Sequence, residues 1–255
     1  MDARLTRIRH LATFLGVRGA LWHVLRRLVS PIYYSELLYI TNGYLVEVPD
    51  DRESGPGAIN TDVFESVQEL LAVRDRLHPD LDLDLMLRHF ESGTDRAWVA
   101  LTGIEGENGS VTYFSLATYD RGGFRMPEYH FGGPLADHIY ASYEWEIVPE
   151  YRGRRLSYRG RYGYWAYPAE RGMWASTGVI RSHNTPSLRS SYRQKDGTLS
   201  WIPGSFRLTR WFGGRWVQAP PWDEVRALIE AVPEGYEPPA FPPPVIRITP
   251  PASPA

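Results

Sequence analysis

The sequence predicts an α+β fold, and three stretches of the chain carry that prediction. Residues 140–196 read in the order strand, basic turn, helix, strand, polar turn, helix. Residues 98–104 and 110–118 flank a polar, glycine-containing turn and predict an antiparallel pair of strands. Residues 198–203 and 205–217 are rich in Trp and Phe and predict two more strands.

The composition fits a folded chain and excludes several classes of function. With 255 residues, 43% hydrophobic and 23% charged, the chain is expected to hold one large domain, or a domain with extensions, around a full core. A net charge of -2 argues against non-specific nucleic-acid binding as the main activity. The absence of cysteine excludes a disulfide framework, a Cys-ligated zinc and a thiol nucleophile.

Two features of the sequence predict a cytoplasmic protein. No apolar run approaches the roughly 20 residues that a membrane helix needs. The start of the chain lacks the compact apolar region and cleavage site of a signal peptide.

Residues 4–29 predict a helix, because apolar residues recur at roughly helical spacing among six arginines. Such a helix either lies on a membrane or a partner, or packs on the body with its arginines in water. Since the charge is not confined to one face, the second interpretation is favoured and a membrane surface is not expected as a partner.

Several elements are expected between this helix and the first long strands. Residues 36–48 predict two short strands around Thr41-Asn42-Gly43, because Asn-Gly favours a tight hairpin. A loop is expected over residues 50–60. A helix then begins at Thr61 or Asp62, with Val63, Val67, Leu70, Leu71 and Val73 on its core side. A second helix is expected over residues 82–91.

The central strand, residues 139–148, alternates regularly, and this alternation places Tyr140, Ser142, Glu144 and Glu146 on one face. Two glutamates on a buried sheet face are costly unless that face opens to a cleft. The pattern therefore indicates either a functional cleft beside Glu144 and Glu146, or a face that meets solvent or an arginine.

The turn after this strand is a candidate anion site. Pro149 ends the strand, and Arg152, Gly153, Arg154 and Arg155 are expected to open the next helix. The first N–H groups of a helix lack partners within it and carry partial positive charge. The backbone N–H groups from Gly153 to Ser157, with three guanidinium groups around them, are thus expected to bind a phosphate cluster.

This turn resembles the coenzyme A pyrophosphate turn of the GNAT acyltransferase superfamily, Val-x-Pro-x-Tyr-Arg-Gly-x-Gly-x-Gly/Ala. The residues that match it are Ile147, Pro149, Tyr151, Arg152 and Gly153. Arg155 and Ser157 occupy positions where the family has glycines. A side chain at Arg155 either crowds a phosphate or binds it through its own guanidinium.

A second match lies downstream, and the resemblance covers roughly residues 84–215. It resembles the family's fifth strand and following helix, and it comprises Val179, Ile180, Asn184, Pro186, Ser187, Leu188 and Gly197. In many members that helix carries a tyrosine that protonates the departing thiolate. Tyr192 lies one residue beyond that position, which Ser191 occupies.

The resemblance implies a GNAT-like α+β fold with a mixed, mostly antiparallel central sheet flanked by helices. It divides the chain into an N-terminal helix, hairpin and helix extension (residues 1–80), the acyltransferase domain (81–218), and a short helix near residues 222–231 with a Pro-rich tail (219–255). Beyond residue 233 polyproline geometry or disorder is expected.

The resemblance also implies transfer of an acyl group from acyl-CoA, or from an acyl carrier protein, to an amine of a small molecule or peptide. Glu144 or Glu146 is then the general base and Tyr192 the acid, with no metal required. The remaining residues expected to hold the cofactor are Ile147, Val148, Arg152, Gly153, Arg154, Arg155, Leu156, Ser157, Asn184 and Ser187. The alternative is a non-catalytic GNAT-like scaffold or assembly protein whose cofactor site is degenerate; whether the protein forms a homodimer stays open.

Overall fold

The computed structural model describes residues 29, 32–92, 96–152, 156, 159–191, 198–240 and 245–247. The strands in chain order are β1 (Tyr33–Leu45), β2 (Val48–Asp50), β3 (Ile59–Phe64), β4 (Ala97–Glu105), β5 (Val111–Arg121), β6 (Gly123–Met126), β7 (Phe131–Pro134), β8 (Ile139–Ile147), β9 (Ala175–Arg181), β10 (Thr198–Trp211), β11 (Trp216–Gln218) and β12 (Val245–Arg247). The α-helices are α1 (Val67–Ala72), α2 (Leu83–Ser92), α3 (Tyr162–Glu170), α4 (Thr185–Ser191) and α5 (Trp222–Glu230).

An eight-stranded sheet dominates the described part of the chain, in the order β11-β10-β1-β9-β8-β5-β4-β3. Its neighbouring strands are antiparallel except for β8 and β9, which run parallel. The pairs β6–β7 and β2–β12 form two small additional sheets. The predicted α+β fold with a mixed, mostly antiparallel sheet is therefore confirmed.

Helices and a hairpin cover the two faces of the large sheet. Helix α3 packs through Tyr164 and Trp165 on one side, which we call the α3 face. The β6–β7 hairpin, α1, α2 and α5 cover the opposite side, which we call the hairpin face. Gly163 lets α3 approach β3 closely, since an added Cβ would lie 2.3 Å from the carbonyl oxygen of Thr61.

The predicted hairpin at Thr41-Asn42-Gly43 is wrong, because β1 runs straight through it. This strand pairs with β10 on one side and β9 on the other. The Asn42 side chain is buried, and its Nδ2 donates to the carbonyl oxygen of Ile229 at 2.9 Å and to the Tyr44 hydroxyl at 3.0 Å. Long-range pairing thus overrides the local preference of Asn-Gly for a turn.

The helix start predicted at Thr61 or Asp62 is also wrong, since both residues belong to β3. The Asp62 carboxylate accepts a hydrogen bond from the Tyr113 hydroxyl at 2.6 Å. The helix begins later, where Ser66 Oγ accepts the Glu69 N–H at 3.2 Å. Strand β3 occupies two of the residues expected in the loop 50–60, whereas α2 lies within one residue of its predicted bounds.

Other boundaries differ more modestly. Strand β10 is continuous where two strands were expected, and α3 runs two residues past Pro168. Strands β1 and β3, assigned from the sequence to an N-terminal extension, belong to the main sheet. The predicted helix over residues 4–29 lies outside the described residues apart from Val29, as do residues 241–244 and 248–255 of the tail. Within the described residues, no helix combines the length and apolar character needed to cross a membrane.

Candidate active site

The two parallel strands separate partway along their length, and the gap between them is the candidate site. β8 and β9 pair only over Ile139–Ser142 and Ala175–Gly178. β8 then continues to Ile147 and β9 to Arg181 without further pairing to each other. At the last pair an added Cβ on Gly178 would lie 3.0 Å from the carbonyl oxygen of Ser142, so glycine permits the close approach from which the strands diverge.

Backbone groups of β8 point into this gap. The Val148 N–H donates to the carbonyl oxygen of Phe114 at 2.9 Å, toward β5. Because alternate residues of an antiparallel strand bond to one neighbour, the peptide groups of Trp145 and Ile147 point the other way, toward the gap. Val148, predicted to bind the cofactor beside Ile147, instead uses its N–H within the sheet.

The Arg152 side chain binds one of the backbone groups that face the gap, at the end of β8. Its Nε donates to the carbonyl oxygen of Ile147 at 2.7 Å. Of the two backbone groups of Ile147, the carbonyl oxygen is thus bound by Arg152, and the N–H remains directed at the gap. Arg152 was predicted to bind a phosphate, and its Nε has this second role.

A β-bulge divides the side chains of β8 between the two sheet faces. Ser142 lies opposite Tyr119, whereas Trp145 lies opposite Ala117, so two residues of β8 face Thr118 alone. The Glu144 N–H donates to Thr118 Oγ1 at 3.2 Å. An extra residue of this kind reverses the side-chain alternation beyond it.

The predicted shared face is therefore wrong. Tyr140 and Ser142 lie on the α3 face, while Glu144 and Glu146 lie on the hairpin face. Trp145 takes the α3 face instead, with its ring centroid 6.0 Å from that of Tyr164. The bulge separates an aromatic wall on one side of the gap from two carboxylates on the other.

Glu144 is exposed and Glu146 half-buried, so the expected cost of two buried glutamates does not arise. Partial desolvation nevertheless raises the pKa of Glu144 above its usual 4.5, with Glu128 and Glu146 adding to the rise and Arg181 opposing it. A carboxylate with a raised pKa is a stronger base for an ammonium proton than an ordinary one.

Arg181 ends β9 beside the gap and is held by a buried carboxylate. Glu36 is 1% exposed, and its two oxygens accept the hydroxyls of Tyr34 at 3.1 Å and Tyr129 at 3.0 Å. Nε of Arg181 lies 3.6 Å from Glu36 Oε1. Desolvation, and then the charge of Glu36, raise the pKa of Tyr129. The Tyr129 hydroxyl therefore stays protonated and donates a hydrogen bond to Glu36.

On the α3 face, the helix expected to bind phosphate begins later than predicted. Among the described residues, the first α-helix after Arg152 begins at Tyr162. The N–H groups of Arg161 and Tyr162 donate to the carboxylate of Asp51 at 3.0 and 2.9 Å. Asp51 is buried and faces the Arg161 guanidinium at 3.5 Å, so a protein carboxylate, rather than an external anion, satisfies this helix end.

The interior beside the gap on the α3 face is nearly filled. A cavity of about 10 Å³, room for one water molecule, is lined by Thr102, Phe114, Ser115, Trp145, Ile147, Leu156, Arg159 and Tyr164. The Arg159 guanidinium is bound to Glu53, with Nε donating to Oε1 at 2.8 Å and Nη2 to Oε2. Leu156, predicted to contact the cofactor, packs beside these residues.

The remaining predicted residues either follow β9 closely in the chain or lie outside the described residues. Asn184 precedes α4, and its Oδ1 accepts the Ser187 N–H at 3.4 Å, as an N-terminal cap does. Gly153, Arg154, Arg155, Ser157 and Tyr192 lie outside the described residues. Within the described part of the chain, no group of His, Asp and Glu side chains has the arrangement of a metal site.

Sequence reasoning missed Asp51, Glu36 and Arg181. The run Asp50-Asp51-Arg52-Glu53 is a signal for the first, since four charged residues in a row within a predicted loop indicate ion pairing. Glu36 stands at a core-facing position of a strand, where a carboxylate requires partners. The tertiary contacts that identify those partners come from far along the chain.

No family model matches the chain, and no curated protein is similar to it. A GCN5-related N-acetyltransferase from Kribbella flavida is a similar solved structure, with 12% identity and a TM-score of 0.38 over 76% of this chain and 62% of its own. A functionally unknown conserved protein from Staphylococcus epidermidis ATCC 12228 has 11% identity and a TM-score of 0.39 over 73% and 66%.

A tandem GNAT protein from the clavulanic acid biosynthesis pathway has 9% identity and a TM-score of 0.36, over 76% of this chain and 69% of its own. The chain spans less than two thirds of the length of the first two structures. Similar structures thus include GNAT acetyltransferases, the superfamily that the sequence motifs resemble. TM-scores below 0.5 at these identities assign no residue roles.

Proposed function

We propose that the protein is an N-acyltransferase that moves an acyl group from an acyl thioester, carried by coenzyme A or an acyl carrier protein, to an amine. One observation carries the proposal: two parallel strands diverge after Ser142 and Gly178, and the peptide group of Ile147 points into the space between them. An extended thioester arm can bond to such a strand edge as an added strand does.

The chemistry follows from the groups on either side of the gap. The amine nitrogen attacks the thioester carbonyl carbon, and the C–S bond breaks as the new C–N bond is completed. The proposal assigns stabilisation of the developing oxyanion to the Ile147 N–H, and removal of the proton released by the nitrogen to Glu144. Tyr192, outside the described residues, is proposed to return a proton to the departing thiolate.

The diphosphate of coenzyme A requires a binding site other than the expected N-terminal end of α3. Asp51 satisfies the first N–H groups of α3, so the proposal assigns the diphosphate to Arg152 and the segment 153–157. Backbone N–H groups of a tight turn and guanidinium groups both suit phosphate oxygens.

Calorimetric titration with acetyl-CoA, followed by detection of released thiol with a panel of amines, tests the proposal. We expect saturable binding and amine-dependent thiol release. Ile147→Pro removes the N–H directed at the gap without removing a hydrogen bond to β5. We expect this variant to release no thiol while its far-UV circular dichroism spectrum stays that of the wild type. If neither acetyl-CoA nor an acylated carrier protein binds, the transferase assignment fails.

A second candidate is a non-catalytic GNAT-like scaffold, which the Asp51 cap and the cavity of about 10 Å³ favour. In this case no acyl donor binds the wild-type chain. Arg155→Gly separates the alternatives for this residue: acetyl-CoA binding becomes tighter if the side chain crowds the phosphate, and weaker if it is a ligand.

A further inference from the structure

A cavity of about 390 Å³ opens beside β10, on the side of this strand that faces away from β1. Strand β11 covers that side only from Thr209 to Trp211, and no described strand pairs with it over residues 198–208. A volume of this size lies in the range of ligand pockets. We call the cavity the β10 groove, and the lining residues that matter here come from β10, the end of β11 and α5: Phe206, Arg207, Gln218, Glu224, Val225 and Leu228.

The sequence after β11 explains why this edge of β10 is left open. Gln218 lies opposite Thr209, so in the same register Pro220 would lie opposite Arg207 if β11 continued. A proline has no N–H to donate to a neighbouring strand. Pro220 is followed by Pro221 and then by α5, so the chain leaves the sheet and returns as a helix.

Peptide groups of alternate β10 residues face the groove. The Phe212 N–H donates to the carbonyl oxygen of Ile32 at 2.8 Å, on the β1 side. Because the bonding direction alternates along an antiparallel strand, the peptide groups of Thr209, Arg207 and Ser205 point to the opposite side. Thr209 is paired there with β11, whereas Arg207 and Ser205 have no strand partner among the described residues.

Apolar side chains of α5 form one wall of the groove. Leu228 packs against Gly204, where an added Cβ would lie 3.2 Å from Leu228 Cδ1. Val225 is buried in the same hydrophobic cluster as Phe206. Since α5 begins just after β11 and reaches Gly204 at Leu228, the helix runs along the open edge. Open peptide groups beside an apolar wall are typical of surfaces that bind a peptide as an added strand.

The two sides of the groove carry opposite charges. Arg207 lies on the α3 face, where its Nη1 donates to Ser35 Oγ at 3.2 Å. Glu224 belongs to α5 and so lies on the hairpin face. Both side chains are exposed, and neither forms an ion pair within the described part of the chain. Each charge is therefore available to a ligand in the groove.

We propose that the β10 groove binds an extended peptide segment of a partner protein as an added strand, with an acidic side chain opposite Arg207. Successive side chains of such a strand point to opposite faces of the sheet. The side chain opposite Arg207 shares the α3 face with it, and opposite charges at such positions attract. The next side chain faces α5, where Leu228 favours an apolar residue and Glu224 disfavours a second acid.

The groove and the candidate active site are separate. Strands β1 and β9 lie between β10 and the gap beside β8. The inference therefore goes beyond the proposed acyl transfer, and peptide binding can be measured without an acyl donor or an amine.

Fluorescence anisotropy of labelled peptides, titrated with the full-length chain to about 1 mM, tests the proposal. The probe is a capped heptapeptide in which valine alternates with threonine and glutamate replaces the central threonine. We expect saturable binding. N-methylation of the glutamate amide should weaken binding about tenfold, because it removes a hydrogen bond to the Arg207 carbonyl oxygen. N-methylation of the next valine should change binding little, since that amide points away from β10.

Arg207→Glu tests the charge. The wild type should prefer the glutamate peptide to one with lysine in its place, and Arg207→Glu should prefer the lysine peptide, by about tenfold. The matched control is Arg88→Glu, at an exposed arginine of α2, which should keep the wild-type preference. Circular dichroism checks both variants.

The proposal is overturned if the wild type binds neither peptide, if the two N-methylated peptides bind alike, or if Arg207→Glu keeps the preference for glutamate. It is also overturned if sedimentation velocity shows a dimer that Arg207→Glu dissociates while no peptide binds, since a second copy of the chain would then occupy the edge.

Discussion

Asp51 and Tyr162 are joined by a 2.9 Å hydrogen bond across 111 residues of sequence, with the Asp51 carboxylate capping the first turn of α3. The same carboxylate accepts the Arg161 N–H and faces the Arg161 guanidinium. The bond ties the loop after β2 to the helix beside the gap. Since the Asp51 carboxylate already accepts the first N–H groups of this helix, the proposed acyl donor is expected to place its phosphates elsewhere.

Asp51→Ala is expected to destabilise the protein by about 3 kcal/mol, since it removes the helix cap and the carboxylate that faces the buried Arg161 guanidinium. Asp51→Asn keeps one acceptor for the Tyr162 N–H and is expected to lose less. Equilibrium urea unfolding measures both. A loss below about 1 kcal/mol for Asp51→Ala would show that the cap contributes little.

Glu144→Gln is expected to lower kcat for acyl transfer by about 100-fold with little change in KM, because it removes the proposed base. In the wild type, kcat/KM should rise with pH through a pKa above the usual 4.5 of a glutamate. Arg181 lowers the pKa of Glu144, so Arg181→Gln should shift this rise of kcat/KM to higher pH. If the pH dependence of kcat/KM is the same in Arg181→Gln and the wild type, Glu144 is not the base.

Acidification is expected to destabilise the protein through His89. Burial lowers the pKa of His89 below its usual 6.5, while Asp120 opposes and Arg125 adds to this shift. The ring donates from Nε2 to the carbonyl oxygen of Tyr119 at 2.7 Å. The folded state thus binds the proton more weakly than the unfolded state, and stability is lost as pH falls from about 6.5 through the lower folded-state pKa.

His89→Gln retains a donor for the Tyr119 carbonyl and does not titrate in this range. We expect its free energy of unfolding to depend less on pH than that of the wild type between neutral pH and the onset of carboxylate protonation. Urea titrations at several pH values measure this slope. Equal slopes for the two proteins would assign the acid sensitivity elsewhere.

Gly163→Ala is expected to cost about 2 kcal/mol, because the added methyl meets the Thr61 carbonyl oxygen at 2.3 Å and forces α3 away from β3. Helix propensity alone predicts the opposite sign, a gain of about 1 kcal/mol. Ala227→Gly in α5, at an exposed position, is the control for propensity and should lose about 1 kcal/mol. Stabilisation by Gly163→Ala would contradict the close approach of α3 to β3.

The sequence predicted the fold class and most elements between residues 96 and 191, because strand alternation and helix periodicity there agree with the final packing. It failed where a local preference meets a long-range contact. Asn42-Gly43 favours a turn, yet the Asn42 side chain is held by α5 and the strand is paired on both edges.

Within the candidate site, alternation correctly predicted that Glu144 and Glu146 share a face, but not which residues share it with them. The bulge opposite Thr118 depends on the register between β5 and β8, which no pattern in β8 alone encodes. The cap by Asp51 was invisible for the same reason: its partners follow it by more than a hundred residues.

The position of β1 also bears on how the chain folds during synthesis. This strand is the first of the large sheet to leave the ribosome, yet its two neighbours, β9 and β10, are among the last. The strands that pair with β1 are synthesised only after most of the chain, whereas β3, β4, β5 and β8 can pair in the order of their synthesis. Folding should therefore be slow, with the late insertion of β1 between β9 and β10 as its limiting step.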